Sequence, residues 1–194
     1  MTKSLLLFLI FYFLIAIPTI SAQTEIKFNT VAALVLVPNG GIELAWGEKN
    51  SVQLDVLGSF WDSIDDSAYH INQTFLEYRW YQKPKQQGWF LGTHIGYGMF
   101  TLRKPNLPGT YGYPKGYYQS GRNSYYGITV GYKRSVSYRW GLEAFLGGGF
   151  SNAFYRGYLK STWTRYEDPH RQFNLSSEWI PYRGGVMLVY KLKP

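Results

Sequence analysis

The stretch that decides the fold is Leu91-Gly92-Thr93-His94-Ile95-Gly96-Tyr97-Gly98-Met99. Successive side chains of a strand point to opposite faces. The pattern therefore predicts a strand with Leu91, Ile95, Tyr97 and Met99 on one face. Gly92, His94, Gly96 and Gly98 occupy the other. One face is broad and apolar, and the other is rich in glycine, which suits a narrow lumen where side chains must fit together.

The same alternation recurs on both sides of this stretch. Tyr126, Ile128, Val130 and Tyr132 oppose Gly127, Thr129, Gly131 and Lys133. Leu142, Ala144, Leu146 and Phe150 oppose Gly141, Glu143, Gly147 and Gly149. Upstream, Leu76, Tyr78 and Trp80 oppose Glu77 and Arg79, and Val52, Leu54, Val56 and Phe60 oppose Gln53, Asp55 and Ser59. Near the end, Val186, Leu188, Tyr190 and Leu192 oppose Gly185, Lys191 and Lys193, with Met187 and Val189 blurring the pattern. Eight segments result: Glu25–Val37, Gly41–Trp46, Ser51–Trp61, Thr74–Tyr81, Trp89–Leu102, Ser124–Arg134, Trp140–Tyr155 and Trp179–Lys193. The first is the weakest, because Val31 to Val37 is apolar on both faces.

The connections alternate in length. Gly47 to Asn50, Lys83 to Gly88 and Ser135 to Arg139 are short. Asp62 to Gln73, Arg103 to Asn123 and Arg156 to Glu178 are long, and only Pro38-Asn39-Gly40 breaks the rhythm. Trp46, Trp80, Trp89 and Trp140 all fall beside the short connections. Short turns at one end, long loops at the other and an aromatic girdle are the pattern of a membrane barrel. The expected fold is all-β: an eight-stranded antiparallel up-and-down transmembrane β-barrel. A soluble β-sandwich also alternates, and it stands as the rival architecture.

The 194-residue chain is long enough for one domain. Residues 1–22 read as a signal peptide: Lys3 is basic, Leu5 to Ile17 is apolar, Pro18 breaks the run, and Ile20-Ser21-Ala22 suits cleavage. The mature domain is then residues 23–194. With no cysteine there is neither a lipid-attachment site nor a disulfide. The formal charge is +8. An exported chain rarely meets nucleic acid, so the basic excess points to anionic head groups or glycans. The expected location is the cell outer membrane.

Several motifs carry a family resemblance across nearly the whole mature chain. They are Lys27-Phe28-Asn29, Pro38-Asn39-Gly40-Gly41-Ile42-Glu43, Phe60-Trp61, Glu77-Tyr78-Arg79-Trp80-Tyr81 and Gly88-Trp89-Phe90-Leu91-Gly92-Thr93-His94. Trp140-Gly141-Leu142-Glu143 and Val186-Met187-Leu188-Val189-Tyr190 complete the set. In their order and spacing they resemble a domain-of-unknown-function family of small Bacteroidetes outer-membrane proteins. The resemblance implies a barrel of the OmpA and OmpX type with no established activity. Phe28 departs from the family's usual smaller polar residue.

For chemistry, the inward face is the first place to look. Parity assigns Lys27, Glu43, Asp55, Glu77, Arg79, His94, Lys133 and Glu143 to it, as a structural network of lumen charges. Charges there must pair, because an eight-stranded barrel is just wide enough for its own side chains. His94 with Glu77 or Glu143 would be the start of a Ser-His-acid hydrolase. No nucleophile elbow occurs, however, and no catalytic residue, metal site or cofactor is expected. The outer loops are the candidate binding surface: Arg103, Lys104, Tyr111, Tyr113, Lys115, Tyr117 and Arg122 in one, and Trp163 and Arg165 in another. The last of these loops also holds His170 and Arg171, while Asp62, Asp65 and Asp66 make a third loop acidic. Basic residues interleaved with aromatics suit outer-membrane lipid and lipopolysaccharide, a surface glycan or a partner protein. Barrel-assembly machinery is a further expected partner, reading Arg183, Gly185, Leu188 and Tyr190. The expected function is a non-enzymatic outer-membrane protein with a structural or surface-binding role. A lipid-modifying enzyme and a secreted soluble sandwich adhesin are the alternatives.

Overall fold

The computed structural model describes residues 23–59, 61, 63–64, 67–103, 117–159, 164–166 and 174–192. The elements run β1 (Thr24–Asn29), α1 (Thr30–Leu34), β2 (Asn39–Trp46), β3 (Asn50–Gly58), β4 (Ser63–Ile64) and β5 (Ser67–Lys83). They continue with β6 (Gln87–Leu102), β7 (Tyr117–Ser135), β8 (Trp140–Leu159), β9 (Arg165–Tyr166) and β10 (Asn174–Lys191). Eight of the strands form one antiparallel sheet in the order β1-β2-β3-β5-β6-β7-β8-β10. β10 then pairs back with β1, from Glu25 opposite Lys191 to Asn29 opposite Met187, and closes the sheet into a ring. The two-residue strands β4 and β9 pair with β5 and β8 as appendages. A single closed sheet replaces the two facing sheets that a sandwich would need.

The two faces of the ring are inverted relative to a water-soluble core. Ile26, Leu54, Leu76, Leu91, Ile128 and Leu146 point outward and are exposed. Lys27, Glu43, Gln53, Glu77, Arg79, Lys133 and Glu143 point inward and are almost fully buried. Met187 and Val189, which blur the sequence pattern, lie on the inner face with Tyr81, Phe90 and Phe145. Among the described residues no helix is long and apolar enough to cross a membrane, which says nothing about strands.

Three tight connections mark one end of the ring. Gly47 supplies the left-handed backbone (φ 73°) that the β2–β3 turn needs. In the β5–β6 turn Lys85 and Gln86 take positive φ, and the buried Gln86 amide donates to the carbonyls of Gly47 (3.1 Å) and Glu48 (3.0 Å). One turn thereby holds its neighbour. Trp46, Trp80, Trp89 and Trp140 stand exposed at this same end, with Trp89 against Tyr132 and Trp140 against Tyr190.

Three expectations need correction at the opposite end. The first segment does not run as a strand to Val37. Asn29 instead accepts from Ala32 N as an N-cap, and α1 follows. A run that is apolar at every position cannot satisfy a two-faced strand. The helix buries Ala32 and turns Val31 and Leu34 outward, and Val37 beyond it is buried. The first outer connection is thus built around a helix and is longer than a three-residue turn. The third strand ends at Gly58, and Trp61 instead donates its indole N–H to Leu36 O at 2.6 Å. Finally, β5, β7, β8 and β10 reach far into segments expected as loops. Both strand faces are polar there, so the alternation that reveals a strand fades while the hydrogen-bond ladder continues.

Closure depends on the last turn of sequence, because β1 meets β10 only through Met187 to Lys191. A chain ending at Gly185 leaves β1 with one neighbour and its inward Glu25 and Lys27 without an enclosing wall. The expected outcome is loss of a cooperative urea transition, checked by circular dichroism and tryptophan fluorescence on the purified truncation.

Candidate functional site

The inward face of the ring gathers charges from seven strands. β1 supplies Glu25 and Lys27, β2 Glu43, β3 Asp55, β5 Glu77 and Arg79, β7 Lys133, β8 Glu143 and β10 Arg183. At the centre, Arg79 Nε donates to Glu77 Oε1 (2.8 Å) and Nη1 to Glu143 Oε1 (2.8 Å). Lys27 bridges Glu43 and Glu143. Lys133 Nζ donates to Glu25 (2.7 Å) and Glu43 (3.3 Å). Arg183 Nη1 donates to Glu77 Oε2 at 2.5 Å, and its Nη2 lies 3.8 Å from Asp55. Ser51 and Tyr81 add hydroxyl donors to Glu43.

Aromatic rings frame these ions. Arg79 lies over Phe90 (4.5 Å), Lys133 over Tyr81 (4.7 Å) and Arg183 over Phe75 (4.7 Å). Arg79 Nη2, which has no hydrogen-bond partner, belongs to the guanidinium facing Phe90. Glycines make the space. A Cβ on Gly92 would strike the Glu77 carboxylate, and one on Gly147 would lie 2.8 Å from Arg183 Cγ. β6 contributes no charge to the lattice among its described residues; it contributes the gap into which Glu77 fits.

His94 sits inward on β6, in register with Glu77 but outside the ion lattice. Its Nδ1 meets Thr129 Oγ1 at 3.0 Å and its Nε2 meets Tyr182 OH at 2.7 Å. Glu77 and Glu143 are engaged by arginine and lysine, so neither orients the imidazole as a hydrolase would require. Next to this level lies a cavity of about 110 Å³, walled by Asn29, Asn39, Asp55, Phe75 and Arg183. That is well below the size of an ordinary small-molecule site. No cluster of three or more metal-binding side chains occurs among the described residues.

All eight residues assigned inward by parity are therefore on the inner face, and seven of them meet in one lattice. Glu25, Tyr182 and Arg183 were missed. Glu25 was detectable, being two residues from Lys27. Tyr182 and Arg183 were not, because a bulge between Pro181 and Arg183 turns two successive side chains inward. The loop candidates divide. Arg122 lies within β7 and Arg165 in β9, and Arg103 follows β6 directly. For Tyr117 only the backbone is described, paired with Leu159. Lys104, Tyr111, Tyr113, Lys115, Trp163, His170, Arg171 and the acids Asp62, Asp65 and Asp66 lie outside the described residues, as do residues 1–22, which were expected to be a signal peptide.

A family model described as a protein of unknown function (DUF3575) matches residues 6–192. The chain belongs to that family. No curated protein and no solved structure matches it. In this DUF3575 member the interior is thus a packed ionic plug rather than an open cleft. Removing one ion should strand its partners. Arg79→Met is expected to cost about 3–5 kcal/mol, the loss typical of breaking a buried pair. Adding Glu77→Gln should recover part of it, and the recovery should be incomplete because Glu77 also holds Arg183. Urea unfolding of both single variants and the double variant measures the coupling; strictly additive losses would contradict it.

Proposed function

We propose that this protein is a non-enzymatic outer-membrane β-barrel, exported by a cleaved signal peptide at residues 1–22. On this reading its mature domain, residues 23–194, spans the membrane and presents its outer end as a structural or binding surface. The observation that carries this reading is the inversion of the ring: apolar side chains outside, a closed ion lattice inside. In water that outer face would be a large hydrophobic liability. In a bilayer it is the required surface, and β10 pairs with β1 so that the belt of the sheet closes without a free edge. On β6 the outward residues from Trp89 to Met99 span roughly the 9–11 residues that a tilted strand needs to cross. The exposed tryptophans at the short-turn end suit the inner interface.

The packed interior argues against a pore. The engagement of His94 by Thr129 and Tyr182 supports a non-enzymatic role over a lipid-modifying hydrolase. The partners that fit are outer-membrane lipid and lipopolysaccharide around the wall, barrel-assembly machinery during insertion, and a surface glycan or protein at the outer end. Nucleic acid does not fit an exported membrane chain, and no cofactor is invoked.

The reading is checked by fractionation and gel migration. The mature chain should sediment with the outer membrane, resist a carbonate wash and run faster unboiled than boiled. A soluble periplasmic product would overturn it.

A further inference from the structure

The connection from β1 to β2 is built of hydrocarbon. Thr30 to Pro38 contains no ionisable side chain. Leu34, Val35 and Leu36 are 83%, 60% and 54% exposed in succession. Val31 is exposed beside them, and Trp61 reaches the run through its indole N–H on Leu36 O. In water this would be an apolar patch without purpose.

Strand register shows what stands level with it. Strands of a closed sheet tilt, so rows of paired residues spiral round the axis. A row leaves Tyr190 on β10, passes Ile26, Leu54, Ile95 and Phe150, and meets β10 again at Trp179. With the bulge residue left out, the climb is about ten residues of strand in one circuit. Shared evenly over the eight strands, it puts Ile128 on β7 and Leu146 on β8 level with the outer ends of β1 and β2. Tyr97, Tyr126 and Trp179 stand higher still. All five point outward and are exposed. The apolar belt of the tall strands therefore continues above the point where β1 and β2 stop, and the β1–β2 connection occupies the gap that the short strands leave.

We propose that α1 and the residues after it lie within the bilayer, with Val31, Leu34, Val35 and Leu36 among the acyl chains of the outer leaflet and Trp61 at their edge. This rests on the membrane reading above. Hydrocarbon accepts a segment that is not strand only if its polar groups find partners within the protein. Here Asn29 accepts from Ala32 N, and the carbonyls of Ala33 and Ala32 accept from Leu36 N (3.1 Å) and Val37 N (3.0 Å). Trp61 covers Leu36 O, and Pro38, which has no N–H to satisfy, accepts from Gly58 N at 3.0 Å. Thr30 turns its hydroxyl onto Val186 O. Water would satisfy these groups unaided; acyl chains would not. Continuity selects lipid over a protein partner. Phe28 leads into the run from below and Val186 flanks it on β10, both outward. The patch thus merges with the belt, whereas a protein-binding patch has a polar rim. A half-exposed tryptophan at its margin suits the interface.

The chain has no cysteine, so a single introduced cysteine carries a nitroxide label without competition. Leu34→Cys is compared with Leu91→Cys on the β6 belt and Tyr138→Cys in the exposed β7–β8 turn. Each full mature chain is placed in nanodiscs of dioleoyl phosphatidylcholine, which are open to reagents from both faces. Relaxation of the label by oxygen, which concentrates among acyl chains, is set against relaxation by a water-soluble nickel chelate. The label at Leu34 should match that at Leu91, with oxygen dominant and the chelate effect lost, while Tyr138 responds to the chelate. Val35→Cys supplies the same reading should Leu34→Cys fail to run faster unboiled than boiled. Chelate access at Leu34 equal to that at Tyr138, with Leu91 still protected, overturns this proposal alone. Chelate access at Leu91 overturns the membrane reading itself. A label at Leu34 shielded from both reagents overturns the lipid contact, and it names a second copy as the occupant if the shielding is lost in discs holding one chain.

Discussion

Everything in this structure depends on neutralising buried charge. Five carboxylates, Glu25, Glu43, Asp55, Glu77 and Glu143, face four cations, Lys27, Arg79, Lys133 and Arg183, in an interior with almost no solvent access. An ion there is costly unless it is both paired and hydrogen-bonded. Arg79 is the keystone, since it ties Glu77 on its own strand to Glu143 across the ring. The lattice dictates the glycines around it. Where a long ion leans over the neighbouring strand, that strand gives up its side chain, as at Gly92 on β6 beside Glu77 and Gly147 on β8 paired with Arg183. Large and small residues therefore alternate around the ring as they would in any packed core, with ions in place of most of the hydrocarbon.

The ring is uneven in height. β1, β2 and β3 are short, while β5 to β8 and β10 continue well past them. On the low side α1 takes the place of further strand, held by the Asn29 cap and by Thr30 Oγ1 donating to Val186 O at 2.9 Å. Asn29 serves both sides of this junction, for its amide also donates to Asn39 Oδ1 and Gly184 O. The tall wall opposite carries Arg122 on β7 and Arg156 on β8, both exposed.

Much of this was legible in the sequence wherever one strand face differed sharply from the other. Period-two alternation located all eight ring strands, and it assigned Lys27, Glu77, Arg79, Lys133 and Glu143 to one side before any pairing was known. It failed in three physical situations. Val31 to Val37 is apolar throughout, so period carried no information, and the cap at Asn29 was the only local signal for α1. Above the apolar belt both faces are polar, so Tyr117 to Asn123 read as loop although it is laddered strand. At Pro181 to Arg183 the bulge breaks the count, which hid Tyr182 and Arg183. Sequence gives which face a residue occupies; which ion meets which depends on strand order and register around a closed circle.

That the ion lattice draws on seven strands has a consequence for assembly. Lys27 on the first strand is bonded to Glu143 on β8, and Glu77 on β5 to Arg183 on the last strand. A sheet holding only β1 to β5 has two of its four inward carboxylates, Glu25 and Asp55, without their counter-ions, which come from Lys133 on β7 and Arg183 on β10. Full neutralisation therefore waits for the last strands, and the same charges that lock the finished ring disfavour burial in its unfinished forms.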